Sequence, residues 1–469
     1  MSCSEHFKDV IEMKILLINP PIREWSKPNV FPLGLGYIAA VLLRDGHDVE
    51  VLDINAYRFD KEEVENRIRD LDFDIVGIGG IVTIYAYVKW LTGMIKRYHP
   101  GKKVIVGGSV GSSIPRIMLE KNPVDVVCIG EGEETIRELA RALENNGDLS
   151  KIKGIWYRGN KGEACQNEIR PPIKDLDEIP LPAWDLFPMD IYLKNPVGAP
   201  NRNKWIDGSA DNEESLSMNV FATRGCPYQC IYCYHDFMGQ GYRTRSPENI
   251  IKEIRTLYER YGVKYFHFID DELVLNKSFI YELCRRFTAL SKETGRKITW
   301  GCAGRVNLMT EDLVSSMADA GCVLIGYGIE TGSLKMLELI KKNTTVEQAK
   351  DAIRLTRKYL GWADTSFMIG YPGETRSTVQ ETVDFCKELD LTPEVIFFMT
   401  PYPGTELYSM ALKQGRIKDE EKYLLGLGEQ GEKIRVNFTD FSDSELYRIQ
   451  AEMIEELNAW NKIKHPEAR

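Results

Sequence analysis

Three thiols fall close together in the run Thr223-Arg224-Gly225-Cys226-Pro227-Tyr228-Gln229-Cys230-Ile231-Tyr232-Cys233-Tyr234-His235. Their spacing is C-x3-C-x2-C, and a loop this short can wrap three thiolates around one inorganic cluster. A [4Fe–4S] cluster ordinarily takes four cysteine ligands. Three ligands therefore leave one iron open to a substrate, by the logic that leaves one position open on a catalytic zinc. The same side chains admit plainer readings: a Cys3His zinc site that uses His235, a disulfide with one free thiol, or chance proximity. The other seven of the ten cysteines, Cys3, Cys128, Cys165, Cys284, Cys302, Cys322 and Cys386, are scattered singly, as small core residues are.

Further along, polar and glycine-rich runs recur at the ends of short apolar segments. Tyr265 to Ile269 ends at Asp270-Asp271-Glu272, Ile298 to Gly301 ends near Arg305, and Val323 to Gly328 ends at Ile329-Glu330-Thr331-Gly332. Ser366 to Ile369 ends at Gly370-Tyr371-Pro372-Gly373-Glu374, and Val395 to Phe398 ends at Pro401-Tyr402-Pro403-Gly404. Each end also has a local reading. Asp270 and Asp271 suit the cap of a following helix. Glu330 suits a loop carboxylate, Arg305 a rim salt bridge, and the Gly370–Glu374 run a turn.

These ends have to be positioned by a parallel sheet. With the strand Asn219 to Ala222 before the thiols there are six βα units, which predicts a partial barrel of six strands with its site at the C-terminal face. The first third has its own alternation. Strands Lys14–Asn19, Asp48–Asp53, Ile75–Gly79, Lys103–Gly107 and Asp125–Ile129 alternate with helices Leu33–Leu43, Lys61–Asp70, Ile84–Tyr98, one near Ser113–Lys121, and Glu133–Asn145. That is a doubly wound α/β pattern, whose ligands bind at the carboxyl ends of the strands. Those ends carry Asn19-Pro20-Pro21, Gly79-Gly80, Gly107-Gly108-Ser109 and Gly130-Glu131-Gly132. Glycine there lets a large ligand approach the backbone or simply ends a strand. No G-x-G-x-x-G opens the first helix, so a dinucleotide fingerprint is absent. A hairpin within Lys151 to Arg170 and the Pro-rich Ile179 to Asp185 read as a connector, and Asn195 to Ser215 as a polar loop. The expected organisation is α/β throughout: a Rossmann-like unit over 12–150, a connector over 151–215, the partial barrel over 216–410 and a helical region over 411–469. In that last region Leu446, Ile449, Met453, Leu457 and Trp460 form an apolar stripe, suited to a packing helix or a lid.

The C-x3-C-x2-C run with an aromatic, Tyr232, before its last cysteine resembles the radical S-adenosylmethionine (SAM) superfamily. The N-terminal unit, with Pro32 to Ala40, Val106-Gly107-Gly108 and Gly130 to Thr135, resembles that of the cobalamin-binding members. The resemblance spans about Lys14 to Tyr408. It implies that Cys226, Cys230 and Cys233 hold a [4Fe–4S] cluster. It places Tyr232, Asp271, Glu272, Arg305, Glu330, Gly370, Gly373 and Pro401 around SAM. It places Leu33, Gly34, Thr83, Tyr85, Gly107, Gly108, Ser109, Gly130, Glu131 and Gly132 around cobalamin. Family members often carry Gly-Gly-Glu where this chain has Asp270-Asp271-Glu272, which loosens the assignment of any one carboxylate there.

The implied chemistry is reductive cleavage of SAM to a 5′-deoxyadenosyl radical, which takes hydrogen from an unactivated sp3 carbon. Methylcobalamin then donates methyl to that carbon, so the enzyme is expected to be a C-methyltransferase whose two domains stack across the substrate. Its substrate is a peptide or protein side chain or a small molecule, and its electron donor a flavodoxin or ferredoxin. None of the six histidines starts an H-x-x-G run, so no histidine of that kind is expected to ligate cobalt; the Val82–Tyr85 loop or water would face its lower side, and His47 reads as a surface residue. The competing readings are a non-methylating radical enzyme of the same domain order, such as an oxidoreductase, a dehydratase or an anaerobic tetrapyrrole cyclase, and a zinc-binding non-enzyme.

Composition bounds these readings. The chain has 469 residues, room for about three domains. Its 60 basic and 70 acidic side chains leave a net charge of −10, which disfavours a general nucleic-acid binder. The most apolar stretch, Ile75 to Leu91, holds Lys89 and Gly79-Gly80 and is short for a membrane span. The start carries no cationic apolar signal, so a cytoplasmic setting is expected, and the resemblance implies a low-oxygen one.

Overall fold

The structure, a computed structural model, describes residues 13–24, 26–195, 216–235, 237–239, 241–428 and 431–464. Two compact units divide the chain, one of Met1–Tyr192 with Leu424–Gly428 and one of Leu193–Tyr423 with Glu429–Arg469. The expected polar loop of 195–215 lies, after Asn195, outside the described residues.

In the first unit the β-branched, apolar runs form strands β1 (Lys14–Asn19), β2 (Asp48–Asp53), β3 (Ile75–Ile78), β4 (Lys103–Val106) and β5 (Val126–Cys128). They pair in parallel in the order β2-β1-β3-β4-β5. Helices Leu33–Arg44, Lys61–Asp70, Tyr85–Tyr98, Pro115–Lys121 and Glu133–Glu144 connect them. Leu17, Ile105 and Val126 of the sheet, with Val41 and Leu139 of the helices, lie in one buried core. The helix expected near Ser113 starts at Pro115, whose fixed φ suits a first turn, and a separate short helix spans Gly108–Ser112.

Two expectations are corrected here. The hairpin assigned to the connector, β6 (Ile155–Arg158) and β7 (Ala164–Gln166), pairs antiparallel on β5 and completes a seven-stranded sheet. It covers what would otherwise be an open edge. His47 is not a surface residue: it is buried, and neither ring nitrogen has a hydrogen-bond partner among the described residues.

The second unit opens with β8 (Ser217–Val220), followed by a two-stranded ribbon of β9 (Thr223–Arg224) and β10 (Arg243–Thr244). Then come β11 (Tyr265–Phe268), β12 (Thr299–Gly304), β13 (Cys322–Glu330), β14 (Asp364–Ile369) and β15 (Ile396–Phe398). The order β15-β14-β13-β12-β11-β8, parallel throughout, is an open half-barrel. The six strands are those expected, with ends moved by at most three residues. Helices pack on one face. Phe268 and Trp300 meet Phe287 at ring distances of 6.2 and 5.5 Å, and Phe367 meets Phe385 at 6.2 Å. On the same face the Tyr327 hydroxyl bonds that of Thr356 at 2.6 Å. On the other face His267, Ala303, Gly326, Asp364, Ser366 and Phe397 remain partly or fully exposed, whereas Tyr265, Thr299 and Leu324 of that face are buried. A closed barrel fills this space with bulky branched side chains; here only part of it is filled and the rest is left open.

The C-terminal helix, Asp443–Lys464, starts where Ser442 and Glu445 cap one another, the Glu445 amide donating to Ser442 Oγ and the Ser442 amide to Glu445 Oε2. Leu446, Ile449, Met453 and Leu457 are buried, while Trp460, expected to continue the stripe, is 38 % exposed with the Lys387 ammonium over its ring. The expected helical region is helical only in part. Helices Glu406–Lys413 and Glu420–Leu425 precede this one, and the described residues between 426 and 442 are irregular.

Candidate active site

The cysteine loop springs from the C-terminal end of β8 and is clipped at its base by the β9–β10 ribbon. At its entry Gly225 has φ 84°, and a Cβ there would lie 2.5 Å from the Gly241 carbonyl oxygen, so glycine alone fits. At its centre the Ile231 amide donates to the Ile340 carbonyl (3.1 Å) and the Ile231 carbonyl accepts from the Leu407 amide (2.9 Å). The Cys233 amide donates to the Cys230 carbonyl at 3.1 Å, a tight turn between two of the three thiols.

Cys230 is buried, Cys226 partly so, and Cys233 exposed. The Cys233 thiol, followed by the charges of Lys342 and Arg305, holds Cys230 well below the usual thiol range. The same contact with Cys230 pushes Cys233 up. Among the described residues no three His, Cys, Asp or Glu side chains converge tightly enough to clasp a single ion. His235, the fourth ligand of the zinc reading, instead turns its Nε2 to the Cys230 carbonyl at 2.9 Å. Three soft thiols, with no fourth protein ligand beside them among the described residues, suit a cluster better than a single ion.

Arg305 follows β12 and is buried, its guanidinium 3.5 Å from the centre of the Tyr228 ring and its Nη1 3.9 Å from Cys230 Sγ. Its Nε and Nη2, which form one edge of the guanidinium fork, have no partner among the described residues. Buried donors left unpaired are costly. A carboxylate binding that edge in bidentate fashion would satisfy both. Tyr228 is steadied in turn by Asn307, whose Nδ2 donates to the Tyr228 hydroxyl at 3.4 Å.

Glu330 ends β13. Its Oε1 accepts from the Tyr232 hydroxyl at 3.0 Å and from Lys342 Nζ at 2.8 Å. Asp270 is buried and accepts the amides of Ala222 and Thr223; Asn276, not Asp270 or Asp271, caps the next helix, taking the Phe279 amide at 3.1 Å. Asp271 is exposed, and the buried Glu272 takes the Val274 amide at 3.1 Å. Burial pushes the Glu272 carboxyl up to about 7, against the opposing charges of Arg305 and Lys342. At the ends of β14 and β15, Gly370 is buried with its amide held by Glu374 Oε2 (2.6 Å), Gly373 is exposed, and the Pro401 carbonyl accepts from the Tyr423 hydroxyl at 2.8 Å.

The structure thus gathers Tyr232, Arg305 and Glu330 around the cysteine loop, with Glu272 within their electrostatic reach. Gly370, Gly373 and Pro401 lie at the ends of the neighbouring strands β14 and β15. Sequence reading passed over Lys342, Tyr228 and Glu374 as separate site residues. Tyr228 carried a signal, an aromatic between the first two cysteines; Lys342 sits in Lys341-Lys342-Asn343, which reads as a solvated charge run.

Glu374 offers a direct test of this packing. Burial pushes its carboxyl up to about 7, although the Gly370 and Tyr371 amides pull the other way. The folded chain therefore holds this proton more tightly than the unfolded one. The group favours folding most below the ordinary carboxyl range and loses that advantage as pH rises to about 7. Glu374→Gln keeps an oxygen for both amides and removes the charge. Its melting temperature, followed from pH 5 to pH 8, is expected to fall less with rising pH than that of the wild type; parallel curves would show that the carboxylate is not penalised.

In the first unit the crest formed by Gly107–Ser109 and Gly130–Gly132, on adjacent strands β4 and β5, is partly exposed, and Gly34 is exposed. A Cβ on Gly107 would meet only Cys128, at 3.9 Å, so its side faces free space. Gly108 is needed by the chain itself: at φ 75° its Cβ would sit 2.5 Å from the Gly80 carbonyl oxygen. Glu131 is engaged, its Oε2 taking the Ile173 amide at 2.6 Å. Leu33 and Thr83 are buried, and Tyr85 is wholly so, its hydroxyl accepting from Asn122 Nδ2 at 3.2 Å. The expectation that Tyr85 faces a ligand is therefore corrected; it is a core residue. The two described histidines of this unit, His47 and His99, precede β2 and β4 and so lie at the opposite edge of the sheet from the crest.

The Radical SAM superfamily model matches residues 220–386 and the B12 binding domain model residues 23–140. An uncharacterized methyltransferase of Pyrococcus horikoshii is 34 % identical over 408 residues, covering 85 % of this chain and 83 % of that one. The anaerobic magnesium-protoporphyrin IX monomethyl ester cyclase of Rubrivivax gelatinosus is 26 % identical over 421 residues, covering 88 % and 72 %. Among solved structures, the radical SAM methyltransferase TsrM from Kitasatospora setae, with cobalamin and a [4Fe–4S] cluster bound, has the same fold (TM-score 0.70, 19 % identity, 87 % of this chain and 79 % of that one).

Proposed function

Because the chain belongs to the Radical SAM superfamily and carries a B12 binding domain ahead of its half-barrel, we propose that it is a cobalamin-dependent C-methyltransferase acting on an unactivated sp3 carbon. The observation that carries the reading is the three-thiol loop beside the idle edge of Arg305. The methyltransferase relative favours methyl transfer over other radical chemistry.

Cys226, Cys230 and Cys233 would hold the [4Fe–4S] cluster, and the crest of Gly34, Gly107–Ser109 and Gly130–Gly132 would hold cobalamin. When bound, these groups supply the electron that cleaves SAM and the methyl that is transferred. The chain's own work is to bind, orient and exclude water. Arg305 Nε and Nη2 take the methionine carboxylate, Asp271 or Glu272 the amino group, and Glu330 and Tyr232 the ribose side. Gly370, Gly373 and Pro401 bring backbone to the adenine. The open face with His267, Asp364 and Ser366 receives a peptide or small-molecule substrate. A flavodoxin or ferredoxin would supply the electron.

The second reading, a non-methylating cyclase or oxidoreductase, is favoured by the Rubrivivax relative. The two separate in one experiment. Protein reconstituted anaerobically with iron and sulfide is given methyl-labelled SAM and reduced cobalamin. Methyl transfer predicts label on cobalamin and then on substrate. Release of 5′-deoxyadenosine with no label on either would leave the second reading standing.

A further inference from the structure

Two adjacent lysines follow the short helix Leu334–Leu339 and behave differently. Lys341 is half exposed and pairs with Glu406 at 2.6 Å, as a surface lysine does. Lys342 is buried, and its Nζ lies 2.8 Å from Glu330 Oε1 and 3.0 Å from the Tyr232 hydroxyl. The Tyr232 hydroxyl lies 3.0 Å from the same Oε1. Three segments of the chain therefore meet in one closed triangle. Glu330 Oε1 takes both donors, whereas Oε2 takes none among the described residues.

The backbone is held as firmly. Glu330 has φ 69°, a left-handed conformation unusual for a residue with a side chain, and its carbonyl accepts the Tyr371 hydroxyl at 3.0 Å. Such conformations persist only where the surroundings over-determine them, and they cluster at functional sites. Stability alone is a weak account of this arrangement, since a buried ion pair is often no better for folding than apolar residues of the same volume. A carboxylate pinned by one oxygen presents the other in a fixed direction.

We propose that Lys342 is a positioning residue that, together with Tyr232, pins Glu330 so that its second oxygen is presented to the hydroxyl groups of SAM. The inference rests on the proposed reading of this site as one for a cluster and SAM. It has a second consequence. Lys342 and Glu330 carry opposite charges close to the cysteine loop, so removing each should move the cluster's midpoint potential in opposite directions. Loss of the cation makes the environment more negative and the cluster harder to reduce; loss of the anion makes it easier.

The test compares cluster-reconstituted wild type with Lys342→Met, Lys342→Arg, Glu330→Gln and Tyr232→Phe. Iron content, SAM dissociation constant and midpoint potential, the last by EPR-monitored titration, are measured for each. Losing a hydrogen bond to a charged group corresponds to about tenfold to a hundredfold in affinity. Lys342→Met is therefore expected to keep its iron, bind SAM that much more weakly and show a more negative midpoint. Lys342→Arg, which retains donors and charge, should recover most of the affinity. Glu330→Gln should shift the midpoint positively, and Tyr232→Phe should weaken SAM binding by less than Lys342→Met does. Should Lys342→Met fail to assemble, Lys342→Arg and Tyr232→Phe carry the comparison, because both keep a buried cation. Wild-type affinity in both Lys342→Met and Tyr232→Phe, or midpoints that move the same way in Lys342→Met and Glu330→Gln, overturns the role of Lys342. A wild type that assembles no cluster overturns the reading of the site itself.

Discussion

Cys230→Ala is expected to leave the protein folded but without its cluster. Cys230 is the buried member of the three thiols, and Lys342 and Arg305 favour its thiolate, the form that binds iron. The loop around it does not depend on the thiol for its course, because Gly225 and the two backbone bonds of Ile231 set it. The circular dichroism spectrum should therefore change little, while bound iron and sulfide fall to background. Reductive cleavage of SAM should drop by more than about a thousandfold, or roughly 4 kcal/mol in barrier terms. Cys226→Ala and Cys233→Ala should behave alike. Cys302 and Cys386, buried and away from the loop, provide the control: their alanine variants should keep a full complement of iron. Full iron in Cys230→Ala, or equal loss in the controls, would remove the loop from the chemistry.

Arg305→Leu should have the next largest effect, and an unusual sign. Without a ligand the protein buries a guanidinium whose Nε and Nη2 make no hydrogen bond among the described residues. Replacing it with an apolar side chain relieves that cost, although it also forfeits the stacking on Tyr228. The melting temperature of the ligand-free variant should therefore be equal to or above that of the wild type. Addition of SAM should then stabilise the wild type and not the variant, because a ligand raises stability only in so far as it binds the folded form. A lost bidentate, charge-assisted contact corresponds to a SAM affinity lower by about tenfold to a hundredfold. A structural rim salt bridge, the plainer reading, predicts the reverse: a less stable ligand-free protein and an undiminished response to SAM. Thermal scans with and without SAM distinguish the two.

The strands of both sheets were legible because each is a short β-branched or aromatic run bounded by glycine or polar residues, a signal that is local. The cysteine loop was legible for the same reason. What stayed hidden depends on partners far along the chain. The Ile155–Gln166 hairpin looked self-contained, but whether it stands alone or pairs on β5 is decided in three dimensions. Tyr85 carried the chemistry of a ligand-facing residue and is instead a core residue bonded to Asn122. Asp270 looked like a helix cap, but its oxygen goes back to the amides after β8, while Asn276 takes the cap. Lys342 is the clearest case. Its neighbours in sequence mark it as a surface lysine, and only the return of the chain beneath Glu330 makes it part of the site.

The backbone bonds of Ile231 also set an order of events in the making of the protein. The loop's three thiols are synthesised together, but its centre is anchored by the Ile340 carbonyl and the Leu407 amide. Contacts so distant in sequence close late, because the chain entropy of bringing them together must be met first. A nascent chain halted before Leu407 would display all three cysteines and still lack the frame that holds them. Cluster insertion is therefore expected to follow completion of the half-barrel, so chains shortened ahead of that point should bind iron poorly and offer exposed thiols to oxidants instead.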